Sequence, residues 1–323
     1  MLQIRALPWP ARYRCFGDGL CCTDIHAVGP LTKPEIRRLD VIAPEQTRMN
    51  DAIGGVVVTP IAGGCAHLTA DGCRVHAALG LAGKPGVCRR FPYRLVSTPL
   101  GKRISTEHRC PCRTLGERPV IDPADALVSV GARLGADVIV GKTIRWTRSE
   151  RIAFASYVER EREILAQPLS LDAEPFPDLE EVTWVDVAHH YRGKIDGSAC
   201  GQALAWFGDI VLSLHGHEPR RLRDRPWSPA FDRAEARTPV IEGADTLFAD
   251  WIADEIWGLE WTERGTFADA RRDLVTRLAV AREMARRLMA EGVREDRAAA
   301  EAVLVGEMAG AAPLFQSVVR AFR

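Results

Sequence analysis

Cysteine is the residue type whose placement in this sequence points most directly to chemistry. Eight of the nine cysteines lie within the first 112 residues, and only Cys200 lies in the remaining two thirds of the chain. Thiolates are soft ligands, and four of them around one Zn²⁺ ion or one [4Fe–4S] cluster are common closed arrangements. The sequence therefore predicts a metal centre in the first third of the chain. The eight residues are Cys15, Cys21, Cys22, Cys65, Cys73, Cys88, Cys110 and Cys112.

The spacing of these cysteines favours an iron–sulfur cluster over a zinc site. Zinc ribbons and fingers usually present C-x2-4-C pairs, because a tight turn directs two sulfurs at one ion. The intervals here are instead C-x5-C-C, C-x7-C-x14-C and C-P-C. The adjacent Cys21 and Cys22 should point in different directions on an extended backbone, so we expect only one of them to bind a given metal. Zinc stays open as the alternative metal. The eight thiols are enough for two sites, or for one site with further thiols that do not bind the metal.

Four histidines in the same region are further candidates, because an imidazole could replace any one sulfur. A supporting or structural role is the commoner one for such residues, and we favour it for each. Cys200 is separate from the group, and we interpret it as a small buried core residue. The histidines are His26, His67, His76 and His108.

The composition predicts that these thiols are reduced. With 323 residues, 46% of them apolar, the chain can bury a conventional core, whereas disulfide frameworks belong mostly to small secreted domains. The N-terminus lacks a basic start followed by an apolar stretch, so we expect no secretory signal. No window approaches the roughly 18 uninterrupted apolar residues of a membrane span. We therefore predict a cytoplasmic protein that does not enter a membrane.

Charge is unevenly distributed, although the net charge is zero. Residues 1–120 hold 17 Lys and Arg against 9 Asp and Glu, and the rest of the chain has the opposite excess. A basic region can bind nucleic acid, but these basic residues are scattered rather than grouped with aromatic side chains. Arginines near a cluster of thiolates would also offset its negative charge. Nucleic acid is therefore an unfavoured partner.

Short elements must position the cysteines. Glycine and proline interrupt residues 1–118, which we predict to form an irregular, cysteine-rich, metal-binding domain with short strands. Thr32 and Glu35 form a capping-box pattern that opens a helix, and Asp122-Pro123 marks the start of another. The remaining predicted elements are a strand at 56–58, a helix at 73–81 and a hairpin that pairs 94–96 with 103–106.

Residues 119–323 are predicted to form a mainly helical domain. The clearest helix begins at Thr266 and runs to Gly292, with an apolar stripe at heptad-like spacing that we interpret as a core-facing seam. Two short helices are expected to follow it. The fold class predicted for the whole chain is α+β, mostly α. Further helices are predicted at 149–167, 179–191, 198–214 and 244–259.

One motif resembles a phosphate-binding loop but is not expected to act as one. Residues 136–143 fit a loose [AG]-x4-G-K-[ST] pattern. A phosphate loop needs small residues between a strand and a helix, whereas the loop positions here are Asp-Val-Ile-Val, which prefer an extended backbone. No glycine-rich dinucleotide motif follows a strand, so a Rossmann-type cofactor site is unsupported.

The cysteine region is similar to a known family. It resembles the CxxCxxCC-type cysteine-cluster proteins, described as zinc- or iron-chelating, and among them the flagellin lysine N-methylases. The resemblance covers residues 15–112, although the first C-x-x-C of the family pattern is absent and Lys84-Pro85 replaces its usual Arg-Pro. The motifs that carry it are Phe16-Gly-Asp-Gly-Leu-Cys21-Cys22, Cys65-Ala-His-Leu68, Gly72-Cys73-Arg-Val-His76, Pro85-Gly-Val-Cys88-Arg-Arg-Phe-Pro92 and Cys110-Pro111.

The resemblance implies a ligand set and two possible functions. It implies Cys65, Cys73 and Cys88 as ligands, with Cys22 or Cys110 as the fourth and with Cys15 and Cys21 as further candidates. It also implies that Arg89 balances charge beside the metal and that Phe91 and Pro92 pack over it. One hypothesis is an iron–sulfur lysine N-methylase that uses S-adenosylmethionine on a protein substrate. The other is a non-enzymatic protein in which zinc or iron holds an interaction surface.

Overall fold

We describe the protein from a computed structural model. The structure describes residues 4–5, 7–15, 19–23, 25–26, 28–51, 54–61, 64–69, 72–131, 135–193, 198–217, 223–238, 241 and 243–320. Of the described residues, 54% are helical and 14% lie in strands, which confirms the prediction of an α+β chain that is mostly α. The division into domains at residue 118 stays a prediction.

The strands are short and lie in the first half of the chain. They are β1 (Ile4–Arg5), β2 (Thr47–Asn50), β3 (Gly55–Val58), β4 (Pro60–Ile61), β5 (Gly64–Cys65), β6 (Leu68–Thr69), β7 (Gly72–Cys73), β8 (Tyr93–Thr98), β9 (Gly101–Thr106), β10 (Val138–Ile139), β11 (Thr143–Arg145) and β12 (Arg151–Ala153).

The helices become longer toward the C-terminus. They are α1 (Lys33–Ile42), α2 (Arg74–Gly83), α3 (Gly86–Arg90), α4 (Pro111–Thr114), α5 (Pro123–Val130), α6 (Phe154–Ala166), α7 (Trp184–Arg192), α8 (Ala199–Leu214), α9 (Ser228–Arg237), α10 (Ala244–Gly258), α11 (Phe267–Ala290), α12 (Glu295–Ala311) and α13 (Pro313–Arg320). Two 3-10 helices cover Leu20–Cys22 and Glu260–Glu263.

The main sheet has the strand order β1-β9-β8-β10. Its centre is the antiparallel β8–β9 hairpin, which runs from the Tyr93–Thr106 pair to the Thr98–Gly101 pair. Gly101 has a φ of 116° at the turn, a conformation that glycine adopts without strain. Strands β1 and β10 add to the two sides in parallel. The predicted hairpin is confirmed, and three smaller hairpins (β2–β3, β4–β5 and β6–β7) lie before it in the chain.

Local sequence signals located several helices correctly. The capping box of Thr32 and Glu35 precedes α1, and Asp122 caps α5. The predicted start of a helix at residue 149 is wrong, because residues 151–153 pair with β11 as strand β12, and α6 begins only at Phe154. Strand β10 covers two of the loop positions in residues 136–143, and strand β11 rather than a helix follows Gly141 and Lys142.

The helical region is built around one large apolar cluster. The seam predicted on α11 is confirmed, because Phe267, Leu274, Leu278, Ala281, Ala285 and Leu288 are all buried. The prediction that only short helices follow is wrong for α12, which has 17 residues. Buried residues lie on most sides of α12, so its sequence lacks the one-sided apolar pattern that marks a surface helix. Helix α9 was not predicted.

Buried polar contacts join the sheet to the helices. The Asp254 carboxylate of α10 accepts hydrogen bonds from the Ser105 hydroxyl and from the Thr106 backbone N–H and hydroxyl of β9. Arg103 forms a buried two-point ion pair with Glu161 of α6, at 2.7 and 2.8 Å. These contacts fix the hairpin that borders the cysteine cavity to the helical region.

Within the described ranges, no helix is long and apolar enough to span a membrane alone. Only α12 and α13 satisfy length and composition together, and they are bent by 70° relative to each other.

Candidate metal centre

Five cysteine thiols and two imidazoles share the wall of one cavity. The cavity has a volume of ≈ 620 Å³ and lies between the short elements of the cysteine region and the end of the β8–β9 hairpin. These residues come from separate parts of the sequence and meet only in the fold. They are Cys21, Cys22, Cys65, Cys73, Cys88, His26 and His67.

A 3-10 helix and an isolated bridge place Cys22 beside Cys65. The 3-10 helix Leu20–Cys22 is anchored by Leu20, which is buried in the main core. The next residue, Thr23, forms an antiparallel bridge with Gly64. In an antiparallel pair the flanking positions also lie opposite each other, so Cys22 and Cys65 are neighbours across this bridge.

Cys65 is held in a tight turn whose backbone donates to its sulfur. The His67 N–H donates to the Cys65 Sγ at 3.4 Å, and the Leu68 N–H acts in the same way. Such N–H···S bonds favour the thiolate and are among the contacts that tune sulfur ligands in metal sites. The turn continues into β6, whose Leu68 pairs with Cys73 of β7.

Cys73 and Cys88 are fixed by helices that pack on α1. Cys73 is the N-cap residue of α2, and Cys88 lies in the middle of α3. The first residue of α3, Gly86, donates its N–H to the Glu35 carboxylate of α1 at 2.6 Å. Behind the cavity, Cys65, Cys73 and Cys88 pack against an apolar cluster formed by Val28, Leu31, Leu39, Val58, Ala66 and Val75.

The thiols influence one another electrostatically. Burial is the largest cause that raises the pKa of Cys88 well above its ordinary value, and Cys22, Cys65 and Cys73 raise it further. Burial also raises the pKa of Cys65 to about 11, with Cys22 and Cys73 acting in the same direction. Buried thiolates near each other need a positive charge, and a bound cation would supply it and release their protons.

Cys22 differs from the others. Its hydrogen bond with Cys21, across a sulfur–sulfur distance of 4.0 Å, is the main reason that the pKa of Cys22 falls to about 7, and the Lys84 ammonium acts in the same direction. The same bond raises the pKa of Cys21. Lys84 lines the cavity, whereas Arg89, the expected charge-balancing residue, is not among the lining residues.

Within the part of the chain that the structure describes, the two imidazoles in the wall carry buried nitrogens without hydrogen-bond partners. These are Nε2 of His26 and both ring nitrogens of His67. Unpartnered buried polar atoms cost free energy and are uncommon, so they call for a ligand or an ion. Phe91 also lies in the wall, in edge-to-face contact with His26 at 4.4 Å. His76 and His108 are not among the lining residues.

The donor types fit a soft metal, but the side chains are not drawn together around one point. Among the described residues, no three or more His, Cys, Asp or Glu groups are arranged to hold a metal ion. Of the two residues expected as the fourth ligand, Cys22 lies in the cavity with Cys65, Cys73 and Cys88. Cys110 is not in the cavity wall and is buried at the start of α4. The identity of the ligands stays a prediction.

Charged residues beyond the thiols were not predicted from the sequence. At the far side of the cavity, the Glu107 carboxylate forms ion pairs with Arg94 and Arg109. Burial opposes its ionisation, but the two guanidiniums outweigh this effect and hold the pKa of Glu107 well below its usual range. The sequence does show that charged residues flank the β8–β9 hairpin. It does not show that they reach the cavity, because their position there depends on the pairing of these two strands.

Comparisons with known proteins do not extend these observations. No protein-family model, characterised protein or solved structure matches the chain. Of the motifs that carry the resemblance to the cysteine-cluster family, residues 16–18 lie outside the part of the chain that the structure describes.

Proposed function

We propose that this protein holds a metal centre through Cys22, Cys65, Cys73 and Cys88. The observation that carries the proposal is that four thiols from four separate short elements reach one cavity. There burial, and then Cys22, Cys65 and Cys73, raise the pKa of Cys88. Metal binding would have to draw the four sulfurs closer together, because the described side chains are not grouped around one point. Lys84 would offset part of the thiolate charge, and the apolar cluster behind Cys65, Cys73 and Cys88 would exclude water.

An iron–sulfur cluster is the favoured centre. The irregular spacing of the four cysteines and the backbone N–H bonds to Cys65 both support it over a zinc ribbon, which uses paired ligands on one turn. Such a cluster would supply either electron transfer or a rigid link between the surrounding elements. A zinc ion, serving only to hold the fold of an interaction surface, is the alternative.

Metal analysis of anaerobically purified protein tests this proposal. We expect iron and acid-labile sulfide in near-equal amounts, a brown colour and broad absorption at about 400 nm from sulfur-to-iron charge transfer. Stoichiometric zinc without sulfide would replace the iron–sulfur assignment by the zinc alternative. Protein that is folded and contains neither metal would contradict the proposal.

A second candidate function is methyl transfer to protein lysines. A volume of ≈ 620 Å³ is in the range of small-molecule sites and exceeds the need of a metal centre alone. Since the sequence resembles the lysine N-methylases, S-adenosylmethionine is the ligand to test, and a lysine-bearing protein is the substrate.

Calorimetric titration of metal-replete protein with S-adenosylmethionine tests this second candidate. We expect saturable binding that weakens in Glu107→Gln, because the cavity then loses a carboxylate that could face the positively charged sulfonium. The matched control is Asp245→Asn, which removes an exposed carboxylate outside the cavity wall and should leave S-adenosylmethionine binding unchanged. If saturable binding does not occur, the methylase hypothesis is wrong, whereas the metal proposal stands.

A further inference from the structure

The outer surface of helices α1 and α2 is basic. Lys33, Arg37 and Arg38 of α1 are exposed, and so is Arg74 at the start of α2. The two helices pack against each other, so these four cations belong to one region of the surface. None of them forms an ion pair with another described residue. They are therefore available to an acidic surface on a partner.

Exposed apolar side chains accompany these cations. Val75 is the only buried residue of α2, although alanine and leucine make up half of this helix. Leu79 and Leu81 are each 43% exposed, and Val41, one turn after Arg37 on α1, is 87% exposed. Exposed apolar side chains grouped with charged ones are typical of a docking surface. We define the α1–α2 surface by Lys33, Arg37, Arg38, Val41, Arg74, Leu79 and Leu81.

The same chain presents a surface of the opposite charge between α6 and α7. Residues 172–186 contain six acidic residues and no lysine or arginine, and all six are exposed. Val182, in the same segment, is 45% exposed. This acidic segment therefore combines negative charge with an apolar contact point, as the α1–α2 surface does with positive charge. The six residues are Asp172, Glu174, Asp178, Glu180, Glu181 and Asp186.

Contacts with the helical region hold the acidic segment in place. The Phe176 N–H donates to the Thr276 hydroxyl of α11 at 2.9 Å. The Trp184 indole N–H donates to the Pro177 carbonyl, also at 2.9 Å, and the rings of Phe176 and Trp184 are in edge-to-face contact at 5.4 Å. The segment is thus ordered before a partner arrives, which reduces the entropy that binding must cost.

We infer that the α1–α2 surface of one molecule docks on the acidic segment of a second copy of this chain. Charge complementarity is the argument for this occupant, because the chain itself carries both the basic and the acidic surface. Its net charge of zero also leaves no overall repulsion between copies. Each molecule has one surface of each kind, so two molecules related by a two-fold axis can exchange both contacts and close a dimer. The inference does not depend on the metal proposal.

Sedimentation velocity of the full-length protein, kept reduced and anaerobic, tests this inference. At about 0.05 M salt we expect a dimer that forms as the protein concentration is raised to about 100 μM. At about 0.5 M salt the dimer should dissociate, because salt screens attraction between exposed charges. Leu81→Ser, which leaves the charges unchanged, should also weaken the dimer, because the apolar part of the contact is lost.

Reversing the charge of either surface should remove the dimer. Arg37→Glu/Arg38→Glu and Glu174→Lys/Glu181→Lys should each weaken self-association by at least about 10-fold, because like charges then face each other. A mixture of these two variants should dimerise again. In the mixture the two reversed surfaces are complementary to each other, and the two natural surfaces are complementary as well.

The matched control is Arg145→Glu/Arg151→Glu, which reverses two exposed charges on the β11–β12 hairpin and should dimerise like the natural chain. Far-UV circular dichroism checks that each variant folds. Metal content, measured on the same samples, should be equal in all of them, so a failure of the metal proposal is seen separately.

Three results would overturn the inference. The first is a natural chain that stays monomeric at low salt, and the second is a dimer that persists in either reversed variant or a mixture that does not reassociate. The third is a monomer that binds vesicles containing phosphatidylserine and loses this binding in Arg37→Glu/Arg38→Glu, because the α1–α2 surface would then face a membrane.

Discussion

Cys88 is a proposed ligand whose pKa is raised by burial and then by all three of the other proposed ligands. It lies on a helix of only five residues, and Cys22, Cys65 and Cys73 all raise its pKa in addition to burial. Its loss should therefore weaken the proposed set of four. Lys84 and Pro85 precede this helix, so the same short segment provides both a proposed ligand and a positive charge in the cavity wall.

The first prediction is that Cys88→Ser loses the cavity metal. Even residues that only support a ligand typically change metal affinity by about 10- to 100-fold, and a lost ligand should cost more. The measurement is metal content per chain after anaerobic purification, together with the thermal stability of the N-terminal region, which should fall. Cys200→Ser is the matched control and should retain its metal. Unchanged content in Cys88→Ser would remove this residue from the ligand set.

The sequence revealed the residue types of the site but not their partners. Sequence reasoning could single out Cys22, Cys65, Cys73 and Cys88, because thiols have distinctive chemistry and the crowding of cysteines is visible along the sequence. The choice of Cys22 over Cys110 depends on the bridge between Thr23 and Gly64, a contact between residues far apart in sequence. The same holds for Glu107, whose place in the cavity wall depends on strand pairing.

Helix α1 is the element that connects local stability to the site. Its capping box uses one oxygen of Glu35, which accepts from the Thr32 N–H and hydroxyl at 2.7 Å. The other oxygen accepts from Gly86 at the start of α3. One side chain therefore caps the start of α1 and holds the start of α3.

The second prediction follows from this double role. Glu35→Ala should destabilise the protein by about 2 kcal/mol, since a cap and a hydrogen bond contribute about 1 kcal/mol each, and it should also weaken metal binding. Asp186→Ala is the control, because Asp186 holds the same position in the capping box of α7 and does not line the cavity. Urea unfolding and metal titration should show weakened binding only in Glu35→Ala. Equal metal affinity in the two variants would mean that α1 does not position α3.

Elements with a local cause were predictable, and elements with a tertiary cause were not. The capping boxes at Thr32 and Thr266 and the turn at Gly101 are encoded within a few residues, and all three were located. Strand β12 exists because residues 151–153 pair with residues 143–145, which overrides a helical pattern. Helix α12 is buried on most sides. Its Ala-rich sequence therefore lacks the alternation of polar and apolar faces that would predict how long the helix is.

The molecule as a whole depends on charges buried between its sheet and its helices. Arg103 and Glu161 are almost fully buried, with side-chain exposures of 1% and 2%, and the Arg103 guanidinium lies 4.0 Å from the centre of the Trp257 ring. Removing one member of such a pair leaves a charge without compensation, which costs more than the pair itself contributes.

The third prediction is that Glu161→Ala destabilises the protein by roughly 3–5 kcal/mol. The double variant Arg103→Met/Glu161→Leu should lose less, because it removes both charges and keeps the volume. Guanidinium unfolding of the three proteins is the measurement. A loss below about 1 kcal/mol in Glu161→Ala would show that the ion pair is not buried as described.

The fourth prediction concerns acid stability. Burial alone would raise the pKa of Glu255, but the Arg277 guanidinium at 2.9 Å outweighs it and lowers the pKa from 4.5 to about 2. Because the folded-state value is depressed, the stabilisation is complete above pH 4.5 and is lost as the pH falls toward 2. Glu255→Gln should therefore flatten the stability curve in this window. A variant whose acid transition matches that of the natural chain would contradict the assignment.

The central claim is that sulfur atoms of this chain bind a metal, and X-ray absorption at the metal edge tests it most directly. For anaerobically purified protein we predict a first shell of about four sulfur neighbours at about 2.3 Å, at the iron or the zinc edge. With iron, a further iron–iron distance would identify a cluster. A first shell made only of nitrogen and oxygen, or folded protein without either metal, would contradict the account.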